Sequence, residues 1–211
     1  MRVFERHRRE SGNAMMEFAI VMPFWVALFF GSVSVGLNLN RTIQVLQTSR
    51  DLAHMYAEGT DFSATSSQNL VTGDGGASAS MVQGMNLSGT GNAVIIFSQV
   101  RHVYAADGDC TGGTCANAGK DVFVNRVVIG NSSLRTSALG NPDSGDLNAQ
   151  GMTKNPTTDT NDQTTQFNLF SSGFVLGSGG AIAYVVEVYM SSPDLAFLGS
   201  STPGTYSRAV F

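Results

Sequence analysis

Three groups of residues in this chain could carry chemistry. The first is Glu17, which stands at the edge of a run, Phe18 to Asn40, with no charged side chain. A carboxylate carried to the middle of a bilayer costs about 2.5–3.5 kcal/mol, so such a residue stays at headgroup level or takes a cation as partner. The second is the pair Cys110 and Cys115, the only cysteines in the sequence. Their spacing, C-x-x-x-x-C, is not that of a dithiol redox motif, and adding His102 still leaves the set short of the four ligands of structural zinc. A disulfide closing a small loop at a hairpin tip is the main reading, contributing roughly 2 kcal/mol at best. The third is Asp107 with Asp109, which lacks the twelve-residue ligand pattern and terminal Glu of a calcium loop.

Nothing here assembles into a catalytic set. His7, His54 and His102 lie in three different environments, and no serine sits in a G-x-S-x-G elbow. The glycine clusters of residues 60–92 do not follow a strand and open a helix, as a phosphate or dinucleotide loop requires. The expectation is a protein that is not an enzyme, with no cofactor and no metal. A net charge of −4, with no basic patch after the first nine residues, gives no reason to expect nucleic acid as a partner.

The elements that must position these residues are unevenly distributed. The first ten residues hold four arginines against two glutamates, and such a basic excess beside a membrane span is retained on the cytoplasmic side. Twenty helical residues cover about 30 Å, the thickness of a bilayer core. Phe18 to roughly Leu39 is therefore long enough to span. It exceeds the apolar region of an ordinary secretory signal, and no small-residue cleavage site follows it. Pro23 removes one backbone donor inside the run and should kink or loosen the helix. Gly31, Ser32, Ser34 and Gly36 are small enough to let another helix approach closely.

Beyond the span, Leu39, Ile43, Leu46, Ala53 and Ala57 recur at helical spacing, as do Val45, Leu52 and Tyr56, with Asn, Thr and Gln between them. That predicts an amphipathic continuation ending at Glu58, with Gly59 as the stop. Residues 60–92 read as loop, with a short helix near Met81–Met85. Asn92–Ala105, Asp121–Ile129 and Ala181–Met190 are rich in Val, Ile, Phe and Tyr and read as strands, and the tail T-Y-S-R-A-V-F as a last edge strand. Glu187 is expected to face solvent. Residues 132–180 are polar and low in complexity and read as a solvated insertion. The fold expected is α+β: a long N-terminal helix packed on an antiparallel sheet.

The residues G-N-A-M-M-E-F, Gly12 to Phe18, stand between a basic leader and an uncharged span that contains M-P-F-W. In this order they resemble the processing region of type IV pilin-like proteins. The resemblance is to the TadE-like family in particular, minor pseudopilins of the tight-adherence (Tad, or Flp) pilus machinery, and it covers residues 11–57. It implies a prepilin peptidase cutting after Gly12, Asn13 as the new N-terminus, and Glu17 and Phe18 as assembly residues. Many family members have a small or apolar residue where this chain has Asn13.

The resemblance also implies the partners: the peptidase, other pilin-like subunits with the Tad secretion machinery, and membrane lipid. The organisation expected is a leader over 1–12, a long helix over 13–58 with its span at 18–39, and a β-rich extracytoplasmic domain over 59–211. Such a chain would sit in the bacterial inner membrane with its N-terminus cytoplasmic, and could enter a pilus. The competing reading is an uncleaved single-pass envelope protein that presents a binding or adhesion domain.

Overall fold

The computed structural model describes residues 7–73, 84–104, 115–164, 182–192 and 204–211, the first seven of these by their backbone alone. Helix α1 runs from His7 to Ala57, helix α2 from Thr65 to Thr72, and four strands follow: β1 (Ala93–His102), β2 (Asp121–Gly130), β3 (Ile182–Ser191) and β4 (Gly204–Val210). The sheet is antiparallel throughout, in the order β2-β1-β3-β4. The expected α+β class is therefore what forms. The chain divides into two compact units, Met1–Arg41 and Thr42–Phe211.

In the second unit, the end of α1 lies on one face of the sheet. Val45, Leu52, Ala53 and Tyr56 are buried there against Ala93, Ile95 and Phe97 of β1, Val127 and Ile129 of β2, and Val186 and Val188 of β3. Of the two apolar stripes in the sequence, the one through Val45, Leu52 and Tyr56 takes the core with Ala53 from the other, while Ile43 and Leu46 of that other stripe stay exposed. The polar residues on the buried stripe are satisfied: Ser49 hydrogen-bonds the Leu46 carbonyl and meets the Ser207 hydroxyl of β4 at 2.8 Å. Tyr56 packs edge-on against Phe97, Phe62 and Tyr184, and Phe62 stacks on Phe97 with centroids 4.2 Å apart. Burial pushes the Tyr56 phenol well above its usual range.

Helix α1 ends through a Schellman motif, where the Thr60 N–H donates to the Met55 carbonyl and the Gly59 N–H to Tyr56. Gly59 has φ +94°, in the left-handed region that a side chain disfavours. The expected stop is in place. The start expected at Asn13 is not, because the chain is already helical at His7, the first described residue. Arginine and glutamate are good helix formers and carry the helix back into the basic segment without an apolar face.

Helix α2 was not expected. Its sequence, T-S-S-Q-N-L-V-T, is weak in helix propensity, and its N-cap Ala64 makes no side-chain cap. It is held instead by burial of Val71 in the core and by Gly73 in the left-handed conformation at its C-cap. The helix expected near Met81–Met85 falls mostly outside the described residues.

A bulge decides what the other face of the sheet carries. Gln99 pairs with Asn125, but Val100 pairs with Phe123, so Val124 is the extra residue on β2. Without it Phe123 would share the face of Asn125. With it, Phe123 joins Val100, Val185 and Leu139 in a second apolar cluster. Leu139 comes from the segment expected to be a solvated insertion. In its described part, 132–164, that segment covers the far face and flanks β2, with bridges Asn125–Met152 and Val122–Gln163. Main-chain bonds tie it down, from Arg126 N–H to the Gly151 carbonyl at 2.7 Å and from Thr153 N–H to the Val124 carbonyl at 3.0 Å. Residues 165–180 lie outside the described part.

Glu187 faces this layer and is 2% exposed, which overturns the expectation that it points to solvent. Its carboxylate accepts from the Ser137 hydroxyl, from the Ala138 N–H at 2.9 Å and from the Tyr206 hydroxyl at 2.6 Å. Arg126, also buried, stacks over Phe123 and donates to the Gly140 carbonyl at 2.6 Å. Burial lowers the Arg126 guanidinium to about 10, with the Glu187 charge acting in the opposite sense. Burial and the bond to Glu187 raise the Tyr206 phenol. Strand alternation places Glu187 on the far face correctly. What the sequence did not reveal is that this face is covered.

Two substitutions test these features by chemical denaturation of the full chain in mild detergent. Gly59→Ala is expected to cost about 1–2 kcal/mol through left-handed strain. Glu187→Ala, which strands three donors and a buried guanidinium, is expected to cost about 3–5 kcal/mol, and Glu187→Gln clearly less.

Candidate functional site in the apolar segment of helix α1

The residues singled out from the sequence fall in α1 up to Arg41. Gly12 and Asn13 lie on the helical backbone near its start, and Glu17 and Phe18 follow within two turns. Glu17 is exposed, and Phe18 is 66% exposed. The apolar side chains after them are exposed on every side of the helix, including Ile20, Phe24, Trp25, Leu28, Phe29 and Val35. A helix that is apolar all round needs an apolar surrounding to be stable. Among the described residues, α1 is the one helix long and apolar enough to cross a membrane, and none of its most apolar stretch is buried.

With one exception, the polar groups of this segment suit a solvent without hydrogen bonds. The helix continues through Pro23, which leaves the carbonyl one turn earlier without its usual donor. Ser32 and Ser34 return their hydroxyls to the carbonyls of Phe29 and Phe30, at 2.8 and 2.9 Å, so neither brings an unpaired donor into the apolar surface. A Cβ built on Gly31 or Gly36 would meet nothing within 4 Å. Among the described residues, the close approach that these two glycines permit is not used.

The other expected site residues lie elsewhere. Cys115 is disulfide-bonded, and Cys110, the chain's other cysteine, lies outside the described residues, as do Asp107 and Asp109. The bonded Cys115 sulfur is not a zinc ligand, and His102 is occupied by Asp121, with Nδ1 and Oδ1 2.7 Å apart. His54 is exposed, its ring centroid 4.2 Å from that of Phe211. The chain matches no protein-family model, no curated protein and no solved structure.

If residues 18–39 take up lipid, the full chain expressed in bacteria will stay with the membrane fraction through an alkaline carbonate wash. Phe29→Lys, at the centre of the run, adds about 2.5–3.5 kcal/mol to insertion and is expected to shift a measurable share into the soluble or aggregated fraction.

Proposed function

We propose that this chain is a minor pilin-like subunit of a Tad-type pilus assembly system, processed by a prepilin peptidase. One observation carries the reading. A helix apolar on every side has Gly12 near its N-terminal end and a single carboxylate, Glu17, where the apolar surface begins. The family resemblance of residues 11–57 gives that arrangement its meaning. In this reading the basic N-terminus is cytoplasmic, residues 18–39 span the inner membrane, and the sheet unit lies outside it.

The local physics supports both steps. Gly12 and Asn13 are adjacent weak helix formers, glycine costing about 1 kcal/mol relative to alanine. The helix is therefore locally weak at the bond a peptidase would cut. Cutting there leaves an ammonium on Asn13. An ammonium and a carboxylate in a low-dielectric helix bundle attract strongly, and either one alone is costly. Pairing Glu17 of one subunit with the amine of a neighbour would set the axial register of the two helices. Removing residues 1–12 would also take away the four leader arginines and leave a more acidic subunit.

Mass spectrometry of the N-terminus tests the reading. In cells with an active prepilin peptidase the mature chain is expected to begin at Asn13, and Gly12→Val is expected to leave the leader attached. An intact N-terminus in the presence of the peptidase would instead support an uncleaved anchor. Glu17→Ala is expected to be cut normally but to lose co-purification with partner pilins, and normal co-assembly would refute the register role.

A further inference from the structure

The segment that covers the far face of the sheet brings three carboxylates together. Asp146 ends a turn that starts at Asp143, Asp159 caps a short 3-10 helix, and Asp162 is the last residue of that helix. One oxygen from each lies within 4.8 Å of the other two. Asp162 is fully buried and Asp146 nearly so, while Asp159 is half-buried.

The scaffold fixes one oxygen of each carboxylate through a main-chain N–H. Asn155 donates to Asp146 Oδ2 at 3.1 Å, Asn161 to Asp159 Oδ1 at 2.9 Å, and Asp143 to Asp162 Oδ1 at 3.3 Å. Asn117 holds the loop from behind, donating to the carbonyls of Pro156 and Asp159. What remains is an anomaly: Asp162 Oδ2 is completely buried and accepts no hydrogen bond among the described residues. The groups acting on the Asp162 carboxyl besides the Asp143 N–H are the Asp146 side chain, within hydrogen-bonding reach, and the Asp159 carboxylate, and both of their charges are repulsive. The Lys154 ammonium is turned to the Gly145 carbonyl, 3.2 Å away. A buried carboxylate oxygen with no donor of its own, beside two more carboxylates, needs either a proton shared with Asp146 or a bound cation.

We propose that Asp146, Asp159 and Asp162 bind one calcium ion, with Asp162 Oδ2 as the innermost ligand. The donors are all hard oxygens, with no His or Cys in the group, which suits calcium or magnesium rather than zinc or copper. Two oxygens on one calcium ion, each at about 2.3–2.6 Å, can stand up to about 5 Å apart, a span that accommodates the cluster. Magnesium holds its ligands closer and keeps most of its waters. The half-exposed side at Asp159 leaves room for water to complete the shell. Bound calcium would lock the turn at Asp143–Asp146 to the 3-10 helix at Thr160–Asp162. The site is independent of the pilin reading, since it stands or falls on the sheet unit alone.

Calorimetric titration of calcium chloride into the EDTA-treated full chain in non-ionic detergent tests this, together with thermal unfolding. The expected result is one ion per chain, saturating below about 1 mM, and a melting temperature that calcium raises and EDTA restores. Asp162→Asn is expected to abolish both effects. Should that variant fail to fold, Asp159→Asn, at a half-exposed position, is expected to weaken binding more than about tenfold. Asp107→Asn with Asp109→Asn is expected to leave binding unchanged. Absence of a calcium-dependent heat or shift overturns the site, as does binding that survives at Asp162→Asn or is lost at Asp107 and Asp109. So does a calcium-insensitive wild type that Asp162→Asn stabilises, which would mean a shared proton instead of an ion.

Discussion

Helix α1 meets two kinds of surroundings with one continuous backbone. Apart from the carbonyl one turn before Pro23, the peptide groups inside the helix are paired within it, so the same segment can be apolar on all sides in one part and on one side in another. The change falls at Arg41, the first charged residue after Glu17 and the boundary between the two compact units. Before it, the described apolar side chains are exposed. After it, only the stripe through Val45, Leu52, Ala53 and Tyr56 is apolar and covered. The sheet has to cover that narrow stripe together with Phe62, Val71 and Leu87, and four strands suffice.

Covering one face of a four-stranded sheet leaves the other to be dealt with. A second helix would be the common solution. Here a polar segment does it, and so the far face can hold groups that an apolar layer could not accept. Glu187 and Arg126 are buried beneath it, the first with three donors and the second stacked on Phe123. The bulge at Val124 makes this possible, because it turns Phe123 to the side where it can support both Leu139 and the guanidinium.

The sequence was most legible where burial imposes a period. The four strands agree with the alternating or continuous Val/Ile/Phe runs, and the end of α1 with Gly59. It was least legible where main-chain bonds replace apolar contacts. T-S-S-Q-N-L-V-T forms α2 because Val71 finds the core, which no local propensity announces. The lid over the far face carries few large apolar residues, Leu139 being the main one, so composition made it look like a solvated loop. Glu187 was misread for the same reason: alternation told which face it was on, and only the hidden lid makes that face an interior. For the candidate site, the spacing of Gly12, Glu17 and the uncharged run was visible from the start. The acidic cluster was not, since Asp146, Asp159 and Asp162 fall in low-complexity sequence and meet only through folding.

The lid is fastened largely through its own peptide groups, with side-chain ties from Ser137, Leu139, Thr153 and Arg135. The Ala138 N–H, the carbonyls of Gly140 and Gly151, and the N–H groups of Thr153 and Thr164 make its ties to the sheet. Most of its side chains take no part in those ties. Substitutions across its outer surface can therefore accumulate while the sheet beneath keeps its shape. A domain built this way can change the outer surface of its lid without renegotiating its fold.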